Sequence, residues 1–241
     1  TVSFQTSAAN QHPGNPAVPE PRWIEDALRV TGGFETAGDP FAAVAGDFDG
    51  QGISLGVLQR NIGQGSLQPL ARAAGEAAMA AAMPVYGPAF WRVATATIPE
   101  ALAAVRGWQT NGRLDDEAAI ELAAFAGSPE MRRKQIAAAG HIAERAYGEA
   151  LLWARARAHG EPSRMEFFWF FDLLVQNGGL KGVRLADVRA FAGQWGEARA
   201  GEAVCDWLAA RREDQFGYRD CRRNAELWRD RVGADHLDLF V

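Results

Sequence analysis

Apolar residues along most of this chain recur at the three-and-four spacing of amphipathic helices. Trp23, Ile24, Ala27 and Leu28 predict a helix over 22–30. Thr31-Gly32-Gly33 is expected to stop it, because glycine readily takes the left-handed C-terminal position. An alanine-rich helix is expected over 67–83, closed by Pro84 and Pro88. Further helices are expected over 99–108, 115–126, 129–159 (with a break near Gly140 or Gly148), 185–195, 202–212 and 218–232. Asp115, Asp116 and Glu117 put negative charge at the start of the second of these, as the helix dipole favours. Residues 164–175 are apolar almost all round, which predicts a central buried helix ended by Gln176-Asn177-Gly178-Gly179. No fixed-period repeat is visible.

One stretch, 33–67, departs from this pattern. Asp39-Pro40 reads as a turn. Residues 46–52 form a loop with two aspartates and three glycines, 53–58 a short apolar run that suits a buried strand, and 61–65 a second loop. The expected fold class is therefore α+β, mainly α, with one small β element near 46–60. Residues 1–20, polar and rich in proline, read as a tail or linker before a domain over 21–241.

Composition narrows the functional classes. The 241 residues are 48% hydrophobic and 23% charged, enough for one sizeable core or two lobes. With 25 basic and 30 acidic residues the net charge is −5, which argues against general binding of nucleic acid. No apolar run is long enough to predict a membrane span. The first residues lack a basic start and an apolar segment, so no signal peptide is expected in this sequence. Cys205 and Cys221 are too few for a disulfide framework and leave a single bridge or two reduced thiols open. His12, His141, His159 and His236 share no metal-ligand spacing and read as surface residues. P-loop and dinucleotide motifs are absent.

The candidate chemistry sits in the exceptional stretch. Glu35 follows a helix C-terminus, whose negative dipole end opposes ionisation, and Phe34 adds an apolar neighbour. A carboxyl kept protonated near neutral pH is what a general acid requires. Asp47-Phe48-Asp49-Gly50 supplies a second carboxylate, from either aspartate. It begins like a calcium-binding loop, but Gln51 at the fifth position and the lack of a glutamate at the twelfth argue against calcium. An acid paired with a base or nucleophile is the requirement for cleaving a glycosidic bond. The amides Gln59, Asn61 and Gln64, with Gln176 and Asn177 at the end of the aromatic helix, both donate and accept hydrogen bonds. They suit hydroxyl and N-acetyl groups, or simply a polar loop and a capped helix.

Phe34-Glu35-Thr36, then Asp49-Gly50-Gln51-Gly52-Ile53-Ser54-Leu55-Gly56, then Gly63-Gln64-Gly65, resembles the catalytic region of chitosanases of glycoside hydrolase family 46. It resembles more closely the chitosanase-like peptidoglycan hydrolase domains of bacterial type VI secretion effectors. The helix end 175–178 is also similar. The resemblance implies a lysozyme-like, two-lobed helical fold with a central cleft. It implies that Glu35 is the general acid, Asp49 the base that activates water, and Ser54 a holder of that water. It implies inversion, with carboxyls roughly 6.5–9.5 Å apart, and no cofactor or metal. Gln51, Ile53 and Ser54 replace the arginine, tyrosine and threonine of the chitosanase pattern, and Arg60 stands where the effector-like pattern has tryptophan. The expected activity is that of a muramidase, with chitosanase and a non-catalytic glycan-binding domain as alternatives. An antibacterial effector would be exported or injected, act in the periplasm of a target bacterium on peptidoglycan strands, and meet a cognate immunity protein.

Overall fold

The computed structural model describes residues 19–33, 38–156, 160–180, 182–192 and 194. Among them are ten α-helices, one short 3-10 helix and two small antiparallel sheets, so the chain is mainly helical with a minor β component. Helices expected at 202–212 and 218–232, both cysteines, the tail to residue 18, and His12, His159 and His236 lie outside the described residues.

Helix α1 (Pro21–Gly33) runs through the Thr31-Gly32-Gly33 that the sequence reading took for its stop. Packing explains the difference. The Thr31 hydroxyl donates to buried Asp172 Oδ1 at 3.1 Å. A Cβ on Gly32 would stand 2.5 Å from Val57 and 2.7 Å from Pro40. Gly32 is therefore a point of close approach in the last described turn of this helix.

The chain then makes a 3-10 turn at Pro40–Ala42, capped by Asp39, whose Oδ1 accepts the Phe41 N–H. Strands β1 (Val44–Ala45), β2 (Ser54–Leu55) and β3 (Arg60–Asn61) follow in order, all antiparallel. Val44 pairs with Leu55, and Ser54 with Asn61. The apolar run 53–58 yields only a two-residue strand because Gly56 turns at φ +77°, pressed against Gln135. A single helix over 67–83 is also not what forms. Gly75 at φ +94° divides it into α2 (Leu67–Ala74) and α3 (Glu76–Ala82).

Pro88 opens a helix instead of closing one: it lies in the first turn of α4 (Gly87–Thr95), where its missing N–H costs nothing. Next comes α5 (Ile98–Arg106), with a Thr97/Glu100 capping box. A second hairpin, β4 (Gln109–Thr110) and β5 (Arg113–Leu114), corrects the expectation of a single β element. Its turn is Asn111-Gly112, both at positive φ. Helices α6 (Asp116–Ala126), α7 (Pro129–Ala138) and α8 (Gly140–Ala156) follow, with the break at Gly140 and not Gly148. The aromatic segment is α9 (Arg164–Asn177), buried as expected, and Gly178 ends it in the left-handed conformation. The last described helix is α10 (Leu185–Ala192). No helix among the described residues is long and apolar enough to cross a membrane.

Two hydrophobic clusters hold these elements. One joins α1, α8, α9 and α10 around Trp153, Trp169 and the phenylalanines at 167, 168, 170 and 171. The other joins the three-stranded sheet to α2–α7 around Phe90, Phe125, Met79 and Leu122. Gln135 stands between them. Its Oε1 accepts the Val57 N–H at 2.9 Å, and its Nε2 donates to Phe41 O at 3.2 Å and Ala126 O at 2.8 Å.

Candidate active site

The turn 46–52 is held from below by the α5–β4 segment. Asp47 is its internal brace. One carboxylate oxygen accepts the Gly52 N–H at 2.8 Å, and the other accepts from Arg106 Nε at 2.6 Å. The Arg106 hydrogen bond, helped by the Gly52 N–H, holds the Asp47 carboxyl below its ordinary value. Arg106 also reaches the Gly50 carbonyl at 3.2 Å. Gln109 completes the clamp: its Oε1 accepts the Asp47 N–H at 2.7 Å, and its Nε2 donates to Gly52 O at 3.1 Å. Gly46 and Gly112 let the two turns touch, since a Cβ on Gly46 would meet Gly112 O at 2.1 Å.

This bracing gives different settings to the two aspartates, which their spacing alone does not tell apart and of which only the resemblance singles out Asp49. Asp47 faces inward and is paired. Asp49 stands exposed at the tip, its Oδ1 accepting only the Gln51 N–H at 3.1 Å, and it forms no ion pair with a described residue. Two residues beyond the turn, Ser54 is buried on β2 opposite Asn61, and its hydroxyl forms no hydrogen bond with a described residue.

The amides divide in the same way. Asn61 is buried, and its Oδ1 accepts the Gln64 N–H at 2.8 Å while its own N–H donates to Ser66 Oγ at 3.0 Å. Its oxygen therefore shapes the 61–66 loop. The Gln64 side chain is exposed above that loop. Gln59 sits at φ +48°, a conformation that costs energy for a residue with a Cβ, and its Nε2 donates to Gly56 O at 3.3 Å. Gln176 is half-buried on α9, one turn beyond buried Asp172, and Asn177 is the last residue of that helix. The structure thus gathers Ser54, Asn61 and Gln64 around the sheet, with Asp49 on the turn that leads into it. Gln176 belongs to a different packing cluster.

Glu35 lies outside the described residues, as does the Asn177 side chain. The chain on both sides of 34–37 is anchored. Before it, Thr31 holds Asp172; after it, Arg132 pairs with Asp39 and stacks on the Phe41 ring at 4.6 Å.

An open groove of about 580 Å³ runs along β1. It is lined by residues 42–45, Gly38, Asp39, Phe48 and Gln59, so that Gln59 is the one among the described site residues expected from the sequence that borders it. Sequence reasoning missed Arg106, Gln109 and Gln135, because each acts on a segment far away in the chain. Phe48 was legible only as the residue between two aspartates. No protein-family model, no curated protein and no solved structure matches the chain.

Proposed function

We propose that this chain is a glycoside hydrolase acting on the β-1,4 glycan strands of bacterial peptidoglycan, a muramidase of the inverting type. The supporting observation is the division of labour on the 46–52 turn. Asp47 is consumed in holding the turn, which leaves Asp49 presented to solvent on a rigid support. A general base must keep its lone pairs for water, and Asp49 meets that requirement where Asp47 does not. The Ser54 hydroxyl, on the strand into which the turn leads, is the group to orient that water. The two packing clusters fit a two-lobed, lysozyme-like body with a cleft between the lobes.

In this reading Glu35 donates its proton to the bridging oxygen as the bond to the anomeric carbon breaks. Water attacks that carbon from the opposite face and gives its proton to Asp49. Positive charge at the anomeric centre builds and decays between the two carboxyls. The reaction needs no metal or cofactor. The protein would work in the periplasm of a target bacterium as a type VI effector domain, with a cognate immunity protein as its inhibitor.

Clearing of purified cell walls tests the assignment. Glu35→Gln and Asp49→Asn are each expected to lose at least 100-fold in rate, within the ~10²–10⁴-fold that proton transfer supplies, while keeping the wild-type melting temperature. A full-rate Asp49→Asn chain beside a dead but folded Asp47→Asn chain would assign the base to Asp47. Mass spectrometry of the digest identifies the bond: reducing-end muramic acid means a muramidase, and turnover of chitosan alone means a chitosanase.

A further inference from the structure

Phe48 is 80% exposed, the highest value among the exposed large hydrophobics of the described residues. Burying such a ring is favourable, and the fold forgoes that here. Its ring contacts no aromatic or cationic side chain among the described residues. Nor does it sit on a loose tip: the clamp of Asp47, Arg106 and Gln109 fixes the backbone on either side of it. The groove it walls runs past residues 42–45 and Gly38, whose small size leaves room for a ring-sized ligand. At the rim stand the Gln59 amide, held in a strained conformation, and the Asp39 carboxylate, which is paired with Arg132 and accepts the Phe41 N–H.

A rigid aromatic face, an open groove and an amide at its edge match one ligand chemistry well. A pyranose has an apolar C–H face that lies on an aromatic ring, and equatorial hydroxyl or amide groups that reach sideways to carboxylate and amide. The nearby carboxylate of Asp49, which forms no ion pair with a described residue, also disfavours an anionic occupant. We infer that Phe48 is a stacking platform for one sugar unit of the substrate, and that the groove along β1 is a saccharide subsite beside the Asp49 turn. This rests on the glycoside hydrolase reading above, and it adds the residue that grips the strand.

The test is pelleting of the full chain with insoluble peptidoglycan, in the Asp49→Asn background so that the polymer persists. Phe48→Ala is expected to weaken binding about tenfold or more, the size of one lost aromatic burial. Phe48→Trp should bind at least as well as Phe48. Phe48→Leu, apolar but not flat, should bind like Phe48→Ala. Melting temperatures should not move, because the side chain is exposed. Equal binding by Phe48→Ala, with the wild-type chain still clearing cell walls, overturns the subsite and leaves the hydrolase standing. Failure of the wild-type chain both to clear walls and to bind them overturns the hydrolase reading and this inference with it.

Discussion

Two aspartates two residues apart do opposite jobs, and the difference is set by what each can reach. Asp47 finds a backbone N–H and a guanidinium within 2.8 Å, so its charge is stabilised where it stands. Its folded pKa lies below the ordinary value of 3.8. A depressed carboxyl stabilises the fold fully above its unfolded value and loses that contribution as pH falls through the folded one. Wild-type stability should therefore decline below about pH 4, near the unfolded carboxyl value. Asp47→Ala should be weaker at pH 7 by about 1.5–3 kcal/mol, the range for a hydrogen bond to a charged group. That variant should also show a shallower acid decline. Thermal melts from pH 7 to pH 3 check this, and parallel acid slopes for the two chains would refute the clamp. Composition and spacing did not separate these residues; only the resemblance of Asp49-Gly50-Gln51-Gly52 to a catalytic motif favoured Asp49. The partner that decides the matter, Arg106, is 59 positions away from Asp47.

At the scale of the element, glycines carried most of the errors and most of the information. Gly75 was read as helix interior and is a break; Gly32, read as part of a helix stop, lies in the last described turn of α1 and also lets Val57 and Pro40 approach. Periodicity locates helices well because one buried stripe repeats within the segment itself. It cannot tell whether a glycine serves its own backbone or a neighbour's approach. Asn111-Gly112 did carry a local hairpin signal, since both turn residues need positive φ. It lay inside a short polar stretch between two helices and was passed over. The buried aromatic helix α9 was legible because almost no residue on it could face water.

Two substitutions separate the roles of glycine. Gly148 lies inside α8 with nothing within 4 Å of an added Cβ, so Gly148→Ala should stabilise by about 0.5–1 kcal/mol. Gly32→Ala gains the same helix propensity but drives its methyl into Val57 and Pro40, and should be net destabilising. Chemical denaturation of the two variants should give shifts of opposite sign. A stabilised Gly32→Ala chain would mean that α1 does not pack this closely on the β2–β3 turn.

At the scale of the molecule, the two hydrophobic clusters must be coupled for the turn that bears Asp49 to hold a fixed position against α1 and α9. Gln135 is the most economical coupling in the structure. Its single amide serves Val57 and Phe41, which pack in the α1–α9 cluster, and Ala126, which packs in the other. All three partners are backbone groups, so no side-chain rearrangement on their part restores the bonds. Each buried polar group left unpaired costs about 1–3 kcal/mol, so Gln135→Ala should destabilise by about 3 kcal/mol or more. Truncation also vacates the space beneath Gly56, where the side chain now fills what a Cβ would occupy. The described elements should unfold in one calorimetric transition in the wild-type chain, with the measured and van't Hoff enthalpies in agreement. In Gln135→Ala the midpoint should fall and the two enthalpies diverge, because the sheet cluster can then loosen from the helical one. A lower midpoint with the enthalpies still matched would make Gln135 an ordinary buried residue of one cluster, and the coupling would have to run through the Arg132–Asp39 pair and the Phe41 ring instead.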